Sequence, residues 1–373
     1  MPADQTVLNH AARILASVTP TLPADSALRR YFQDHTKVSP GLRRVISRTV
    51  FIYYRWFNWL DSRDSLQRQL AQAEQVAARF DRDPRSIKPE ALAARAVPTW
   101  AADEIEFSAD DLRQLQRDPA LWLRARPGTA GALSAALGDC EKTPASPDAV
   151  CYVGTQDLFR TTQFHTGAFE IQDLASQLVS IAAAPNPGET WWDACAGEGG
   201  KTLHLADLMA NKGLIWATDR NERRLQSLKR RAARAKLFNF RSVLWDGGER
   251  LPTKTKFDGV LVDAPCSGAG TWQRNPHARW TTTADDVREL AATQTALLNH
   301  VAPAVKPGGR LIYAVCTLTR SETTVVAEAF TAAHPEFAPA PFTLPGREPA
   351  DALHLTPHAL NANGMFIAAW RRA

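Results

Sequence analysis

Two cysteines and one aspartate stand where a chain of 373 residues could perform covalent chemistry. The acid is Asp263, which follows a short apolar run at 257–262, and Cys266 comes three residues later. Cys316 follows a second apolar run at 310–315. Both runs are typical of buried strands, and an open α/β sheet binds its ligands outside the carboxyl ends of its strands. The pattern therefore predicts one reacting site with two thiols and a carboxyl group.

Such groups suit the modification of a ring carbon that is a poor nucleophile, such as carbon 5 of cytosine. A thiolate that adds to carbon 6 activates the ring, so that carbon 5 can attack a methyl group. The reaction also needs a group that stabilises the ring at nitrogen 3 and a base that removes the carbon-5 proton. An acid and two cysteines can meet these needs, although the residues alone do not rank the two thiols. Three other cysteines are predicted to be packing residues: Cys140, Cys151 and Cys195.

A glycine-rich turn at 192–202 predicts a cofactor pocket, because its glycines let backbone amides approach a ligand at a helix N-terminus. Acids that end four successive predicted strands point to a cofactor that contains a nucleoside, since the second of them can accept ribose hydroxyls. These acids are Asp193, Asp219, Asp246 and Asp263.

The cofactor could be a nicotinamide dinucleotide or S-adenosylmethionine. A pyrophosphate prefers a helix N-terminus without extra negative charge, but Glu198 lies inside the turn, and a full Gly-x-Gly-x-x-Gly motif is missing. Neither cysteine is needed for hydride transfer. The sequence therefore favours S-adenosylmethionine, whose sulfonium is cationic.

Composition sets broad limits on the function. Hydrophobic residues make up 45% and charged residues 22%, as in ordinary globular proteins, and the net charge of +5 is compatible with a polyanionic partner. Five cysteines without a Cys-x-x-Cys pair or clustered histidines predict no metal site and a reduced, cytoplasmic protein. No apolar run approaches the ~20 residues of a membrane helix, so no membrane association is expected.

The elements that would position these groups fall into four predicted segments. Residues 1–80 are expected to form a small helical bundle, 81–120 a linker with short helices, and 121–165 a small α+β unit with strands at 121–125, 149–153 and 158–162. In residues 166–373, strands alternate with helices, which predicts a largely parallel, doubly wound α/β sheet. Its strands are predicted at 190–194, 213–218, 240–245, 257–262, 309–315 and 364–370.

Several motifs together carry a resemblance to a known family. The stretch 263–271, continued by 274–276 and Trp280, resembles the signature of the RNA cytosine-5 methyltransferases, in particular the ribosomal RNA small-subunit methyltransferase B (Sun) type. The similarity covers about 165–373, and its other motifs are Gly167 with 172–173 and 175–177, the glycine-rich turn, 313–318 and 364–366. It implies a Rossmann-like catalytic domain that follows a helical domain like NusB and a small RNA-recognition-like domain.

The resemblance also implies roles for the matched residues. Cys316 is expected to be the nucleophile on carbon 6, Cys266 to assist product release, and Asp263 to contact both the ring and the donor. Asp219 is expected at the ribose of S-adenosylmethionine and Asp246 at its adenine. The methionine part is expected against the turn residues Cys195, Ala196, Gly197, Glu198, Gly199, Gly200 and Lys201. For Lys201 and Arg274, an RNA contact, a role in orienting the site and a structural ion pair all stay open.

The implied partner is RNA, most of all small-subunit ribosomal RNA, with no obligate protein partner. Transfer RNA is the alternative substrate, and a catalytically idle RNA-binding protein is the alternative class. The chain departs from the family pattern at 197–198, where Ala-Pro is usual, and at Val315, Thr317 and Asn363, where Thr, Ser and Asp are usual. None of these changes removes a catalytic group, so activity is expected.

Overall fold

The computed structural model describes residues 4–373. Its α-helices, numbered along the chain, are α1 Gln5–Ser17, α2 Ala24–Asp34, α3 Pro40–Arg55, α4 Leu66–Arg82, α5 Pro89–Arg95, α6 Ala101–Glu104, α7 Ala109–Gln114, α8 Ala130–Leu137, α9 Thr162–His165, α10 Leu174–Ala183, α11 Gly200–Leu208, α12 Glu222–Ala235, α13 Ala278–Thr281, α14 Ala284–Val301, α15 Thr324–Ala333 and α16 Pro357–Leu360. Its strands are β1 Leu121–Ala125, β2 Cys140–Lys142, β3 Ala149–Tyr152, β4 Phe169–Ile171, β5 Thr190–Asp193, β6 Leu214–Asp219, β7 Phe240–Leu244, β8 Phe257–Asp263, β9 Val305–Val315, β10 Phe337–Pro339, β11 Ala352–Leu355 and β12 Met365–Arg372.

Residues 4–118 and 271–284 form one compact, helical unit. Its helices begin where polar side chains satisfy free backbone N–H groups. Ser39 accepts from the N–H of Leu42 at the start of α3, and Ser65 caps α4 in the same way. The apolar faces of α1 to α4 share one core. The segment predicted as a linker, 81–120, therefore lies mostly inside this unit rather than between units.

A buried arginine explains why 271–284 belongs to the helical unit, although the sequence placed it in the catalytic segment. Arg279 is fully buried and donates to the carbonyl oxygens of Ala96 (2.8 Å) and Leu115 (2.9 Å). Burial lowers its pKa to about 9, which still leaves the guanidinium charged at neutral pH. In the same segment, Trp280 donates to the carbonyl of Tyr54 at 2.6 Å. Buried donors and acceptors of distant stretches thus satisfy one another.

The second unit contains residues 119–270 and 285–373, and it begins with a small antiparallel sheet. The order β2-β3-β1-β4 with the succession βαββαβ is the split βαβ arrangement. The strand predicted at 158–162 is wrong. A 3₁₀ turn, Leu158–Arg160, and then α9 stand there, because Asp157 and Thr161 accept hydrogen bonds from the backbone N–H groups of the following turns.

One face of the small sheet is covered by the rest of the same unit. Trp122 and Cys151 share a core with Leu178 of α10. The buried Arg124 pairs with Asp207 of α11 and donates to Gln172. Glu170 of β4 is buried too and pairs with two arginines of α12. The sheet is therefore fixed by apolar burial and by compensated buried charges.

The large sheet has the order β10-β12-β9-β8-β5-β6-β7. The strands β9, β8, β5, β6 and β7 run parallel to one another, whereas β12 pairs antiparallel with β9. This confirms the predicted doubly wound α/β fold. Across residues 4–373, no helix combines the length and the apolar character that crossing a bilayer requires.

We expect Arg279→Ala to lower the free energy of unfolding of the helical unit by on the order of 3 kcal/mol, because buried carbonyl groups lose a charged donor. Arg274→Ala is the matched control, because Arg274 is an exposed residue of the same segment and its loss should change stability by less than about 0.5 kcal/mol. Urea unfolding followed by tryptophan fluorescence measures both. Equal effects of the two substitutions would contradict the role of Arg279.

Candidate active site

The parallel pair of β8 and β9 brings the two thiols together. Asp263, at the end of β8, lies opposite Ala314 of β9, so the loops that follow the two strands leave the sheet side by side. The sulfur atoms of Cys266 and Cys316 are 3.4 Å apart. Gly270 then donates from its N–H to the carbonyl oxygen of Cys316 at 3.1 Å. The two loops thus form one structure at the carboxyl edge of the sheet.

A buried ion pair lies beside the thiols. Lys201, in the first turn of α11, places its Nζ 2.7 Å from an oxygen of Asp263. Burial of the ammonium works to lower the pKa of Lys201, but the charge of Asp263, their hydrogen bond and the charge of Cys316 outweigh it and raise that pKa. Lys201 therefore stays protonated. Of the three roles left open for Lys201, the structure shows an ion pair, and the partner is Asp263.

The environment makes the two thiols unequal. The pKa of Cys266 is raised well above its ordinary value, first because its thiol is hydrogen-bonded to Cys316, then because it is buried, and also because Cys316 and Glu322 carry nearby charge. Cys266 therefore keeps its proton more firmly than an ordinary cysteine. A thiol that donates to a neighbouring sulfur stabilises negative charge on that neighbour.

A cavity of about 590 Å³ opens at this edge of the sheet. Its lining includes Cys266, Cys316 and most of the predicted donor residues: Cys195, Ala196, Gly197, Glu198, Gly200, Lys201, Asp219, Asp246 and Asp263. Gly199 is the exception, because it does not line the cavity. It stands before α11 at φ +86°, where a Cβ atom would lie 2.5 Å from the side chain of Leu228, so only glycine fits this turn.

Two of the acids at the strand ends differ in environment, because Asp219 lines the cavity and Asp193 does not. Asp219 accepts hydrogen bonds from the N–H groups of Gly197 (2.9 Å) and Asn221 (2.8 Å), one on each carboxyl oxygen. Each oxygen keeps a further lone pair for a ligand hydroxyl. Asp193 lies fully buried at the end of β5, and burial raises its pKa to about 7, although the Thr202 hydroxyl donates to it.

Some residues of the cavity were missed by the sequence analysis. The helix α14 contributes Thr293, Ala296 and Leu297, and the chain after β7 contributes Trp245 and Gly247. Trp245 could have been found, because it adjoins the predicted acid Asp246. The α14 residues gave no signal, since they lie in an ordinary amphipathic helix far along the chain.

The departures from the family pattern leave the site intact. Thr317 keeps the hydroxyl that the usual Ser would supply, and its Oγ1 lies 2.9 Å from Ser267 Oγ. Gly197 has φ +54°, a backbone conformation that glycine adopts without strain. The carbonyl of Glu198 accepts from Arg231 at 2.9 Å. Arg274 belongs to the helical unit, where its side chain is exposed, and it forms no ion pair among the described residues.

The residues of this pocket fit S-adenosylmethionine. The acids Asp219, Asp246 and Asp263 suit hydroxyl groups, an amino group and a positive sulfonium, and the cavity has the size of a typical cofactor site. Over residues 4–373, no cluster of His, Cys, Asp and Glu side chains could hold a metal ion.

This fold and this pocket define a Rossmann-like methyltransferase domain. Residues 180–371 match the family described as 16S rRNA methyltransferase RsmB/F. The chain is 37% identical over 250 residues to the probable ribosomal RNA small subunit methyltransferase B of Bacillus subtilis, which covers 63% of this chain and 54% of that protein. It is 30% identical over 312 residues to ribosomal RNA small subunit methyltransferase B of Yersinia pseudotuberculosis, which covers 81% of this chain and 70% of the relative.

The chain therefore belongs to the RsmB/F family of 16S rRNA methyltransferases, whose methyl donor is S-adenosylmethionine. It spans about half the length of the Bacillus relative. The crystal structure of PH0851 has the same fold, with a TM-score of 0.81 over the whole of both chains at 23% identity.

The raised pKa of Asp193 makes a prediction about stability. Between about pH 4 and 7 the folded state holds a proton that the unfolded state has lost, so this group lowers the free energy of unfolding as pH rises through that window. We compare the free energy of unfolding of Asp193→Asn with that of the unsubstituted protein at pH 5 and at pH 8. The difference between the two proteins should shift in favour of Asp193→Asn by at least about 1 kcal/mol from pH 5 to pH 8. Urea titrations at both pH values measure this difference, and Asp351→Asn, at an exposed position, is the control. A difference that does not change with pH would contradict it.

Proposed function

We propose that this chain transfers a methyl group from S-adenosylmethionine to carbon 5 of a cytosine in small-subunit ribosomal RNA, through a covalent bond between Cys316 and carbon 6. The observation that carries the proposal is the pair of sulfur atoms, 3.4 Å apart, that line a pocket together with the Lys201–Asp263 pair. Neither simple RNA binding nor hydride transfer needs two adjoining thiols.

The residues divide the reaction between them. The Cys316 thiolate gives an electron pair to carbon 6, while the half-buried Asp263 contacts the ring and passes a proton of the Lys201–Asp263 pair to nitrogen 3, which stabilises the ring. Bound S-adenosylmethionine supplies the electrophilic methyl group. Carbon 5 takes this methyl group as the bond between the methyl group and the sulfonium sulfur breaks, and that sulfur keeps the electron pair. The carbon-5 proton then passes to water and nitrogen 3 returns its proton to the Lys201–Asp263 pair. The double bond between carbons 5 and 6 reforms and the bond between sulfur and carbon 6 breaks, which returns the Cys316 thiolate. Cys266 assists this last step because its sulfur adjoins the bond that breaks.

The donor roles follow the lining of the cavity. We assign the ribose to Asp219, the adenine to Asp246, and the methionine part to Cys195–Lys201. The target cytosine must be unpaired or turned out of a helix, because the thiols lie inside a pocket. The matched relatives are named for small-subunit ribosomal RNA, which supports that substrate over transfer RNA. A cytoplasmic location and the lack of an obligate protein partner stay predictions.

The covered face of the small sheet bears on how RNA is held. RNA-recognition domains stack bases on aromatic side chains of an open sheet face. Here Trp122 and Cys151 of that face are buried in the core of their own unit. We therefore expect RNA to contact the loops and edges of this small sheet rather than this face.

Substitution of the cysteines tests the covalent mechanism. We expect Cys266→Ala to accumulate an RNA adduct that survives denaturing electrophoresis, because product release is impaired. Cys316→Ala should form no adduct and release no tritium from RNA labelled at carbon 5 of cytosine. Cys195→Ala is a useful control, because it changes the pocket without removing either reacting thiol. An adduct formed by Cys316→Ala would reverse the roles of the two cysteines.

Analysis of modified nucleosides tests the substrate. We expect cells that lack the gene to lose one 5-methylcytosine from small-subunit ribosomal RNA, and a plasmid copy to restore it. Mass spectrometry of nucleosides from separated ribosomal and transfer RNA makes the measurement. A loss confined to transfer RNA would keep the chemistry and change the partner, whereas no loss in either pool would favour the idle RNA-binding protein.

A further inference from the structure

A buried carboxylate that has no part in the reaction above lies behind the two thiols. Glu322 ends a 3₁₀ turn, Arg320–Glu322, seven residues after β9. Its side chain is fully buried. Among the ion pairs of residues 4–373, none includes Glu322. A buried carboxylate without a cation must be stabilised by hydrogen bonds instead.

Five donors converge on this carboxylate. Oε1 accepts from the backbone N–H of Ser267 at 2.8 Å and from Gln294 Nε2 at 2.9 Å. Oε2 accepts from the hydroxyl groups of Ser267 (2.5 Å), Thr319 (2.7 Å) and Thr317 (3.2 Å). Ser267 adjoins Cys266 in sequence, and Thr317 adjoins Cys316. One carboxylate therefore holds both cysteine loops.

The two thiols have neighbours of different charge. Cys266 is faced by Cys316, Glu322 and the hydroxyl of Tyr313, whose own hydrogen bonds go to Gln294 and to the carbonyl of Glu322. Cys316 is faced instead by the ammonium of Lys201, with Asp263 behind it. A carboxylate disfavours the ionised form of the thiol beside it, and an ammonium favours it. Both effects direct the negative charge to Cys316.

We propose that Glu322 is a positioning residue that makes Cys316 the thiolate and Cys266 its protonated partner. It does so by fixing both cysteine loops and by placing a negative charge near Cys266. Glu322 acts through Ser267, Thr317 and Thr319 and touches no reacting atom. This proposal rests on the proposed function in one respect, namely that Cys316 is the thiolate that attacks carbon 6. Its test uses thiol ionisation in the full chain and needs no RNA.

Glu322→Gln is the decisive substitution, because it removes the charge and keeps the shape. The amide oxygen can still accept from Ser267 and Gln294, and two of the three hydroxyl groups can rotate to accept from the two hydrogens of the new N–H₂ group. Glu322→Asp keeps the charge. Glu328→Gln is the matched control, because Glu328 is an exposed glutamate of the neighbouring α15.

The measurement is the initial rate of alkylation of each cysteine by iodoacetamide from pH 6 to 10, with the modified peptides assigned by mass spectrometry. The thiolate is the reacting species, so each rate profile reports ionisation. In the unsubstituted protein, Cys316 should react at lower pH than Cys266. In Glu322→Gln, the midpoint for Cys266 should fall by roughly one pH unit, which is about tenfold in rate at lower pH. Glu322→Asp and Glu328→Gln should leave that midpoint in place.

Three outcomes would overturn the proposal. The first is an unsubstituted protein in which Cys266 reacts at lower pH than Cys316, a result that does not depend on any variant folding. The second is a Cys266 midpoint that does not move in a folded Glu322→Gln protein, as judged by circular dichroism and binding of S-adenosylmethionine. The third is an equal shift in Glu322→Asp. If these profiles come out as expected while no RNA is methylated, the proposed function fails and the role of Glu322 stands.

Discussion

The parallel pairing of β8 with β9 is the constraint on which the site depends. Because Asp263 and Ala314 lie in register, the loops after the two strands must leave the same edge of the sheet together. A shift of one residue would turn every side chain of a strand to the opposite face and separate the two sulfur atoms. The buried runs of β8 and β9 prevent such a shift, since valine, leucine and isoleucine side chains pack on both faces.

The negative charge around the pocket also results from the carboxyl edge of the sheet. Parallel strands deliver their terminal acids to one place, so Asp193, Asp219 and Asp263 are close enough to influence one another. Lys201 compensates one of them directly. The remaining negative charge suits a donor that carries a positive sulfonium. The architecture that collects the acids thus also favours one class of cofactor over a dinucleotide.

Much of this site could be predicted from the sequence, because its strands are short apolar runs that end in acids. The apolar run at 257–262 predicted β8 nearly to the residue, and three of the four predicted acids, Asp219, Asp246 and Asp263, line the cavity. The ion pair of Lys201 could not be predicted, since 62 residues separate it from Asp263 and only the return of α11 to the sheet edge joins them. Glu322 could not be predicted for a similar reason, because its donors Ser267 and Gln294 lie 55 and 28 residues away along the chain.

The sequence analysis placed 271–284 in the catalytic segment, and the packing explains why the structure places it in the helical unit. The segment 271–284 follows the cysteine loop directly, and sequence alone assigns it to the catalytic part, but its buried arginine and tryptophans belong to the helical core. Likewise, Leu158 and Phe159 indicated a strand, and the capping side chains of Asp157 and Thr161 decided for helical turns. Hydrophobic periodicity reports neither capping hydrogen bonds of side chains nor packing between residues that are far apart in sequence.

The division of the helical unit has a consequence for how this protein could arise and change. Part of its core, with the fully buried Trp272 and Arg279, is encoded between two stretches of the catalytic unit. A gene without the codons for residues 4–118 would therefore leave that apolar segment without its packing partners. A gene that acquired only those codons would lack the segment 271–284. The helical unit cannot be inherited as a detachable module by recombination at one junction. The two units must be kept, and must evolve, as one.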